Sequence, residues 1–161
     1  MRIMVASDSH GDYLSLKRAI EAERRKEKLD AFIFLGDGER DYELAVQNLG
    51  GISTYRVRGN NDYDSGIRLS AVIDIGSRKY LICHGHSFGL RQGLDGIINA
   101  ANQNGCQAAL FGHTHVRHYS FEKGVHLFNP GSIALPRDGK GRSYGIITEE
   151  KGRPDFYHYT I

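Results

Sequence analysis

Only two cysteines, Cys83 and Cys106, occur in 161 residues, too few for a disulfide framework. Lying near apolar residues, they read as buried free thiols of a reducing cytoplasm. Long apolar runs are also missing. The longest, such as Ala31 to Leu35, reach about five residues, far short of the ~20 a membrane span needs. The N-terminus, Met1-Arg2-Ile3-Met4-Val5-Ala6-Ser7-Asp8, meets acid and histidine too early for the apolar segment of a secretory signal. These absences predict a cytoplasmic protein with no membrane partner. Nor is either charge in excess. The 21 Lys+Arg and 19 Asp+Glu residues leave +2, too balanced to make nucleic acid or an anionic membrane the default partner. No repeat, linker or low-complexity stretch divides the chain, so residues 1–161 are expected to form a single domain.

Hydrophobic residues make up 40% and charged residues 25%, which is globular composition and argues against disorder, coiled coil and collagen. Glycine is abundant at 20 residues, well above its usual ~7% share. Five of the eight histidines fall in two short clusters, at 84–86 and 113–118. Both features point to loops with special work to do.

The apolar pattern places strands at Arg2–Ser7, Ala31–Leu35 and Thr54–Val57, separated by helices over Tyr13–Lys28 and Asp41–Leu49. Asp12 is placed to cap the first helix, and Gly50-Gly51 to stop the second. The charged tail Glu23–Lys28 reads as a solvated helix end. Alternating strand and helix predicts a parallel sheet with right-handed crossovers. The second half differs. Hairpins are expected from Leu69–Ile75 with Lys79–Cys83, Val116–Phe121 with Val125–Phe128, and Tyr144–Thr148 with Asp155–Tyr159. A helix through Leu94, Ile97, Ile98 and Ala101 ends at Gly105, before a buried strand at Ala108–Phe111. The expected architecture is α/β, with one mixed sheet or two packed sheets.

Five strands run into the same kind of loop. The loops carry Asp8-Ser9-His10, Gly36-Asp37, Gly59-Asn60-Asn61-Asp62, His84-Gly85-His86 and Gly112-His113-Thr114-His115. In open α/β sheets ligands bind beyond the carboxyl ends of the strands. Any one of these loops alone is an ordinary turn; five in succession imply convergence on one site. Asp, Asn and neutral His are ligands for manganese, iron, zinc, cobalt or magnesium. Asp8, His10, Asp37, Asn60, His84, His113 and His115 are more donors than one ion needs and enough for two. Two ions ~3.5–4 Å apart suit phosphoester hydrolysis, because they clamp phosphoryl oxygens and generate a hydroxide nucleophile.

In order and context these loops resemble the signature of the calcineurin-like metallophosphoesterases. Asn129-Pro130-Gly131-Ser132 with Leu135-Pro136-Arg137 resembles the small bacterial and archaeal phosphodiesterase branch. The resemblance implies a four-layer α/β/β/α sandwich of two mixed sheets. It implies that Asp8, His10 and His115 bind one metal, that Asn60, His84 and His113 bind the other, and that Asp37 bridges them. It also implies a metal-bridging hydroxide attacking phosphorus in line. Manganese is the expected ion, with iron, zinc, nickel, cobalt and magnesium as alternatives.

One departure from the family pattern concerns catalysis. Many relatives have His where this chain has Asn61, and Asn cannot serve as a general acid. Losing a general acid typically costs 10²–10⁴-fold, so good leaving groups such as aryl esters are expected to be preferred. Asn61 is left as a hydrogen-bond donor to phosphate and His86 as a substitute acid. Arg137 is a candidate phosphate contact. Asp62 is expected to orient the loop rather than bind metal. His118, His126 and His158 read as sheet-face residues. The basic loop Asp138–Arg142 lacks the spacing of a P-loop.

The function implied is a metal-dependent phosphodiesterase, a phosphoric ester hydrolase acting on small diesters. The alternatives are phosphomonoesterase action and a catalytically weak scaffold, since a retromer subunit sharing this fold works chiefly as a protein-binding module. Basic residues are too dispersed for a nucleic-acid polymer. Aromatic residues in the C-terminal strands leave homo-oligomerisation open.

Overall fold

The computed structural model describes residues 1–161 except Asn48, Asp64 and Ser65. The chain begins with β1 (Arg2–Ala6), α1 (Tyr13–Lys26), β2 (Ala31–Phe34), α2 (Glu39–Val46) and β3 (Ser53–Arg56). It continues through β4 (Ser70–Ile75), β5 (Arg78–Cys83), a short 3₁₀ turn at His86–Phe88, α3 (Asp95–Gln103) and β6 (Ala108–Leu110). Strands β7 (Arg117–Glu122), β8 (Val125–Pro130), β9 (Ser143–Glu150) and β10 (Arg153–Thr160) complete it.

The strands form two mixed five-stranded sheets, ordered β10-β9-β1-β2-β3 and β4-β5-β6-β8-β7. In the first, parallel β1–β2–β3 is joined along β1 by antiparallel β9 and β10, so β3 is an edge; in the second, parallel β5–β6–β8 is flanked by antiparallel β4 and β7. Alternation of side chains along a strand builds the layers. In β1, Met4 and Ala6 join the core shared with α1 and α2, whereas Ile3 and Val5 face the other sheet. In β5, Tyr80 and Ile82 enter that inter-sheet core, whereas Leu81 and Cys83 pack with α3. Central strands are therefore apolar on both faces, which explains their continuous hydrophobic runs. The result is the expected α/β/β/α order of layers. Both cysteines are free and buried, and burial pushes the Cys83 thiol up to about 12.

The helix predicted at Asp41–Leu49 differs. It starts two residues earlier, at Glu39, and ends at Val46; Asn48 of that prediction lies outside the described residues. The early start has a tertiary cause. Gly38 offers no side-chain cap, and the carboxylate of Asp62, remote in sequence, accepts from the Gly38 and Glu39 N–H groups instead.

The charged tail of α1 is also not simply a solvated end. Asp12 does cap the helix, accepting from Ser15 N, but Glu23 is fully buried. Its carboxylate pairs with the Arg2 guanidinium and accepts from Tyr144 Oη at 2.6 Å and Lys26 Nζ at 2.6 Å. The network ties α1 to β1 and β9. Among the C-terminal aromatics, Tyr144 is core, while Phe121, Tyr157 and Tyr159 are exposed. Removing one member of a buried ion pair strands the other, at about 3–5 kcal/mol. Glu23→Ala is accordingly expected to lower the urea midpoint by that amount of stability. A change below about 1 kcal/mol would show that water reaches Arg2 freely.

Candidate metal centre

The carboxyl ends of β1, β2, β5 and β6, with the loop after β3, meet where the two sheets abut. Their side chains are held in costly backbone. Among the described residues, seven non-glycine residues have positive φ, and five of them are Asp8 (58°), His10 (43°), Asp37 (58°), His113 (68°) and His115 (60°). This left-handed region is disfavoured for residues with a Cβ, and such strain persists where surrounding structure over-determines it.

Close approach of the loops explains two of the neighbouring glycines. Gly36, at φ 96°, lies so near the next loop that an added Cβ would come 2.5 Å from Gly59 N and 2.8 Å from Gly59 Cα. At Gly112 an added Cβ would overlap Ser7 Oγ and lie 2.9 Å from Asp8 Oδ2.

Hydrogen bonds define which atoms face the centre. His84 Nδ1 lies 2.7 Å from Leu35 O, and His115 Nδ1 lies 2.6 Å from Leu135 O. A carbonyl can only accept, so Nδ1 carries a proton in each ring and Nε2 is the atom turned to the centre. Those Nε2 atoms meet other potential metal ligands. His115 Nε2 is 3.1 Å from Asp8 Oδ1 and 3.2 Å from His10 Nε2. His84 Nε2 is 3.4 Å from Asp37 Oδ2 and 3.2 Å from Asn60 Oδ1. Asp8 Oδ1 is buried and has no hydrogen-bond partner of good geometry. Acceptors facing acceptors need a proton or a cation between them. Two groups are compact enough to share an ion: Asp8, His10 and His115, and Asp8, Asp37 and His84.

Both aspartates lie between the histidines. Asp37 Oδ2 is 3.7 Å from His10 Nε2 as well as near His84. Asp8 Oδ1 is 3.8 Å from His10 Nε2 and 3.9 Å from His84 Nε2. His113 flanks His84, with ring centroids 5.1 Å apart, and its backbone N–H donates to Asp8 Oδ2. Asn61 donates from its backbone and its side-chain amide to Asp37, at 2.8 and 2.6 Å. His86 packs 5.4 Å from His84 and 6.1 Å from His113, between ring centroids. Arg137 stands outside the cluster, at the rim of a cavity that His86 and His113 also line.

Electrostatics follow from the crowding. Burial alone would raise the Asp37 carboxyl, but His84 and the Asn61 donors outweigh it and hold it far below the usual range. Burial disfavours charge on His84 and His115, yet Asp37 and Asp8 outweigh it at His84, as Asp8 does at His115, and raise both. His113 and His86 lack such close carboxylates; burial, then the charge of His84, lowers both.

Residues outside the cluster hold its loops. The Asp62 carboxylate accepts from the backbone N–H groups of Asp37, Gly38, Glu39 and Gly59, all at 2.8–2.9 Å. That is the orienting role expected for it. Asp41, which sequence reading treated only as a helix start, is buried and accepts from Ser9 Oγ and Gly11 N at 2.6 and 2.8 Å, fixing the loop of Asp8 and His10. An acid in the first helical turn, four residues after Asp37, was the only available signal. Ser132 Oγ donates to Asp8 O, and Asn129 Nδ2 donates to Gly112 O and Thr114 Oγ1. Asn129-Pro130-Gly131-Ser132 thereby joins the loops of both sheets.

Asp62→Asn replaces an acceptor oxygen with an amide donor and leaves at least one loop N–H unpaired. The expected loss is about 2 kcal/mol in urea unfolding of the metal-free chain, with metal affinity weakened roughly 10–100-fold. Unchanged unfolding and unchanged metal titration would show that the loops hold their shape without it.

Comparison with known proteins agrees with this architecture. Residues 1–152 match the sequence model of the calcineurin-like phosphoesterase superfamily domain. The chain is 33% identical over 151 residues to a probable metallophosphoesterase, YsnB, of Bacillus subtilis, covering 93% of this chain and 85% of that protein. It is 28% identical over 171 residues to the phosphodiesterase YfcE of Escherichia coli, covering 93% and 89%. The fold matches that of Vps29 from Entamoeba histolytica, solved in complex with Zn²⁺, at TM-score 0.79 and 21% identity, over 99% of this chain and 92% of that one. The strained Asp–His cluster at the meeting edges of two mixed sheets and the match over residues 1–152 lead to one conclusion: the chain belongs to the calcineurin-like phosphoesterase superfamily.

Proposed function

We propose that residues 1–161 act as one metallophosphoesterase domain that hydrolyses small phosphodiesters at a two-cation centre. The observation that carries this reading is the convergence of metal-ligand atoms, Asp8 Oδ1, Asp37 Oδ2, Asn60 Oδ1 and the Nε2 atoms of His10, His84 and His115. Hard and borderline donors of this kind fit divalent manganese, iron, zinc, nickel, cobalt or magnesium, and manganese is the proposed ion. The proposed sets are Asp8, His10 and His115 for one cation, and Asn60, His84 and His113 for the other, with Asp37 between them. Two such cations, when bound, supply charge to the phosphoryl oxygens and acidify water.

The surrounding residues divide the remaining tasks. Asp62 and Asp41 keep the ligand loops in register, so the donors need little rearrangement. Asn61, with one amide hydrogen engaged by Asp37, has a second to offer a phosphoryl oxygen. Hydrolysis joins water oxygen to phosphorus and expels the ester oxygen, which needs a proton unless it is a weak base. Burial and the His84 charge keep His86 neutral at neutral pH, a state suited to hydrogen bonding more than to proton donation. This supports a preference for aryl diesters, whose leaving groups need no acid. Phosphodiesterase action also accords with the similarity to YfcE. No helix among the described residues is long and apolar enough to cross a membrane.

The test strips the protein with chelator and assays a chromogenic aryl phosphodiester beside its monoester, with and without Mn²⁺. Diester hydrolysis is expected to return with metal and to fall roughly 100-fold or more in Asp37→Asn. Faster turnover of the monoester would shift the reading to a phosphomonoesterase. No turnover of either ester would favour a protein-interaction scaffold.

Protons and cations compete for the same lone pairs. Because His84 and His115 are raised from an ordinary 6.5, metal affinity is expected to tighten as pH rises from about 6 to about 8, by up to roughly tenfold per pH unit for each displaced proton. The stability of the metal-free chain runs the other way. A histidine held protonated by its fold stabilises fully below the ordinary value and loses that contribution as pH rises through its raised one. Calorimetric titration and unfolding across this range check both slopes; a flat metal affinity would mean these imidazoles bind no cation.

A further inference from the structure

Two loops distant in sequence bring Arg91 and Arg137 to one cavity of about 380 Å³. Its inner wall includes His86 and His113, so it opens directly beside the proposed metal centre. Among the described residues, no Asp or Glu lines it. Elsewhere in the chain, arginines that face their own fold meet carboxylates: Arg2 with Glu23, Arg56 with Glu43, Arg117 with Asp138, Arg142 with Asp12. Among the described residues, Arg91 and Arg137 have no side-chain hydrogen bond or ion pair. A second cavity of about 660 Å³ borders the centre through His10 and Asp37, and carboxylates outnumber cations in it, with Glu39, Asp41, Glu43 and Asp62 against Arg40 in its lining. Thr114 and Gln92 add neutral donors to the arginine cavity.

A phosphodiester seated on the centre must send its two arms in different directions. The charge of one cavity favours an anionic arm more than that of the other. Guanidinium groups with no internal partner leave their paired N–H donors available for the paired oxygens of a phosphate. We infer that the Arg91–Arg137 cavity is an anion subsite, and that the preferred substrates are phosphodiesters with a second phosphate on one arm. This rests on the hydrolytic reading of the neighbouring centre and specifies its substrate class; Arg91 is assigned to specificity, outside the metal-ligand set.

The test pairs two chromogenic substrates, the nitrophenyl ester of thymidine 5′-phosphate with and without a 3′-phosphate, on the manganese-loaded protein. The phosphorylated substrate is expected to have the higher kcat/KM, and that ratio to fall roughly tenfold in Arg91→Ala and in Arg137→Ala, with Arg91→Lys intermediate. Calorimetry with thymidine 3′,5′-bisphosphate against thymidine 5′-phosphate probes the subsite without turnover. Tighter binding of the bisphosphate that the alanine variants lose, with neither ester cleaved, would support the subsite while failing the hydrolytic reading alone. A bisphosphate that binds no tighter than the monophosphate, or variants that keep the preference, would overturn the subsite.

Discussion

Ligand atoms crowded so closely that a proton or a cation must lie between them are the constraint around which this molecule is organised. Asp8 Oδ1, buried and without a good hydrogen-bond partner, sits 3.1 Å from Nε2 of His115, whose Nδ1 proton is committed to the Leu135 carbonyl. Such an arrangement is unfavourable by itself, since desolvated acceptors repel. It persists because it is carried by loops that cannot relax: each is anchored to a buried strand end and bonded to another loop. Left-handed φ at five of the donor residues is the backbone's share of the same tension. The rest of the fold can be read as the support for a site that would otherwise spring apart.

The support is made of hydrogen bonds that cross between loops. Asp62 closes the loop after β2 onto the loop after β3 and, with the same carboxylate, caps α2. Asp41, from the first turn of that helix, returns to hold the loop after β1. Ser132 and Asn129 reach from the second sheet to the loops of Asp8 and Gly112. The two sheets are thus linked twice, by the apolar layer between them and by polar bonds at the edge where the cluster forms. The electrostatics follow from this geometry: the carboxylates that hold protons on His84 and His115 are the groups beside which a cation would sit. His86 and His113, away from those carboxylates, are pushed in the opposite direction.

Much of this was legible in the chain. Continuous apolar runs such as Ile3–Ala6 and Ala31–Leu35 mark strands covered on both faces, because only such strands have no polar face to show. Loops bearing Asp, Asn and His after each run place the donors at one edge, since parallel strands end on the same side. Helix ends and bonding partners were harder to read. The start of α2 is set by Asp62, more than twenty residues away, and no local capping signal replaces it. Glu23 looks like any acid in a charged helix tail; only the arrival of Arg2 and Tyr144 from other strands makes it a buried centre.

The sequence by itself determined the alternation of strands and helices, the two-sided burial of the central strands and the identity of the donors, because periodicity and residue chemistry are local properties. Tertiary structure alone decided which nitrogen of each histidine faces the centre, that Asp8 as well as Asp37 lies between the histidines, and that Arg91 and Arg137 share one wall. Those outcomes depend on distances across the two sheets and on carbonyls such as Leu35 O and Leu135 O that fix a tautomer from outside the motif. A linear chain specifies which groups are present. Which lone pairs meet is settled only when the sheets have packed and the loops have closed on one another.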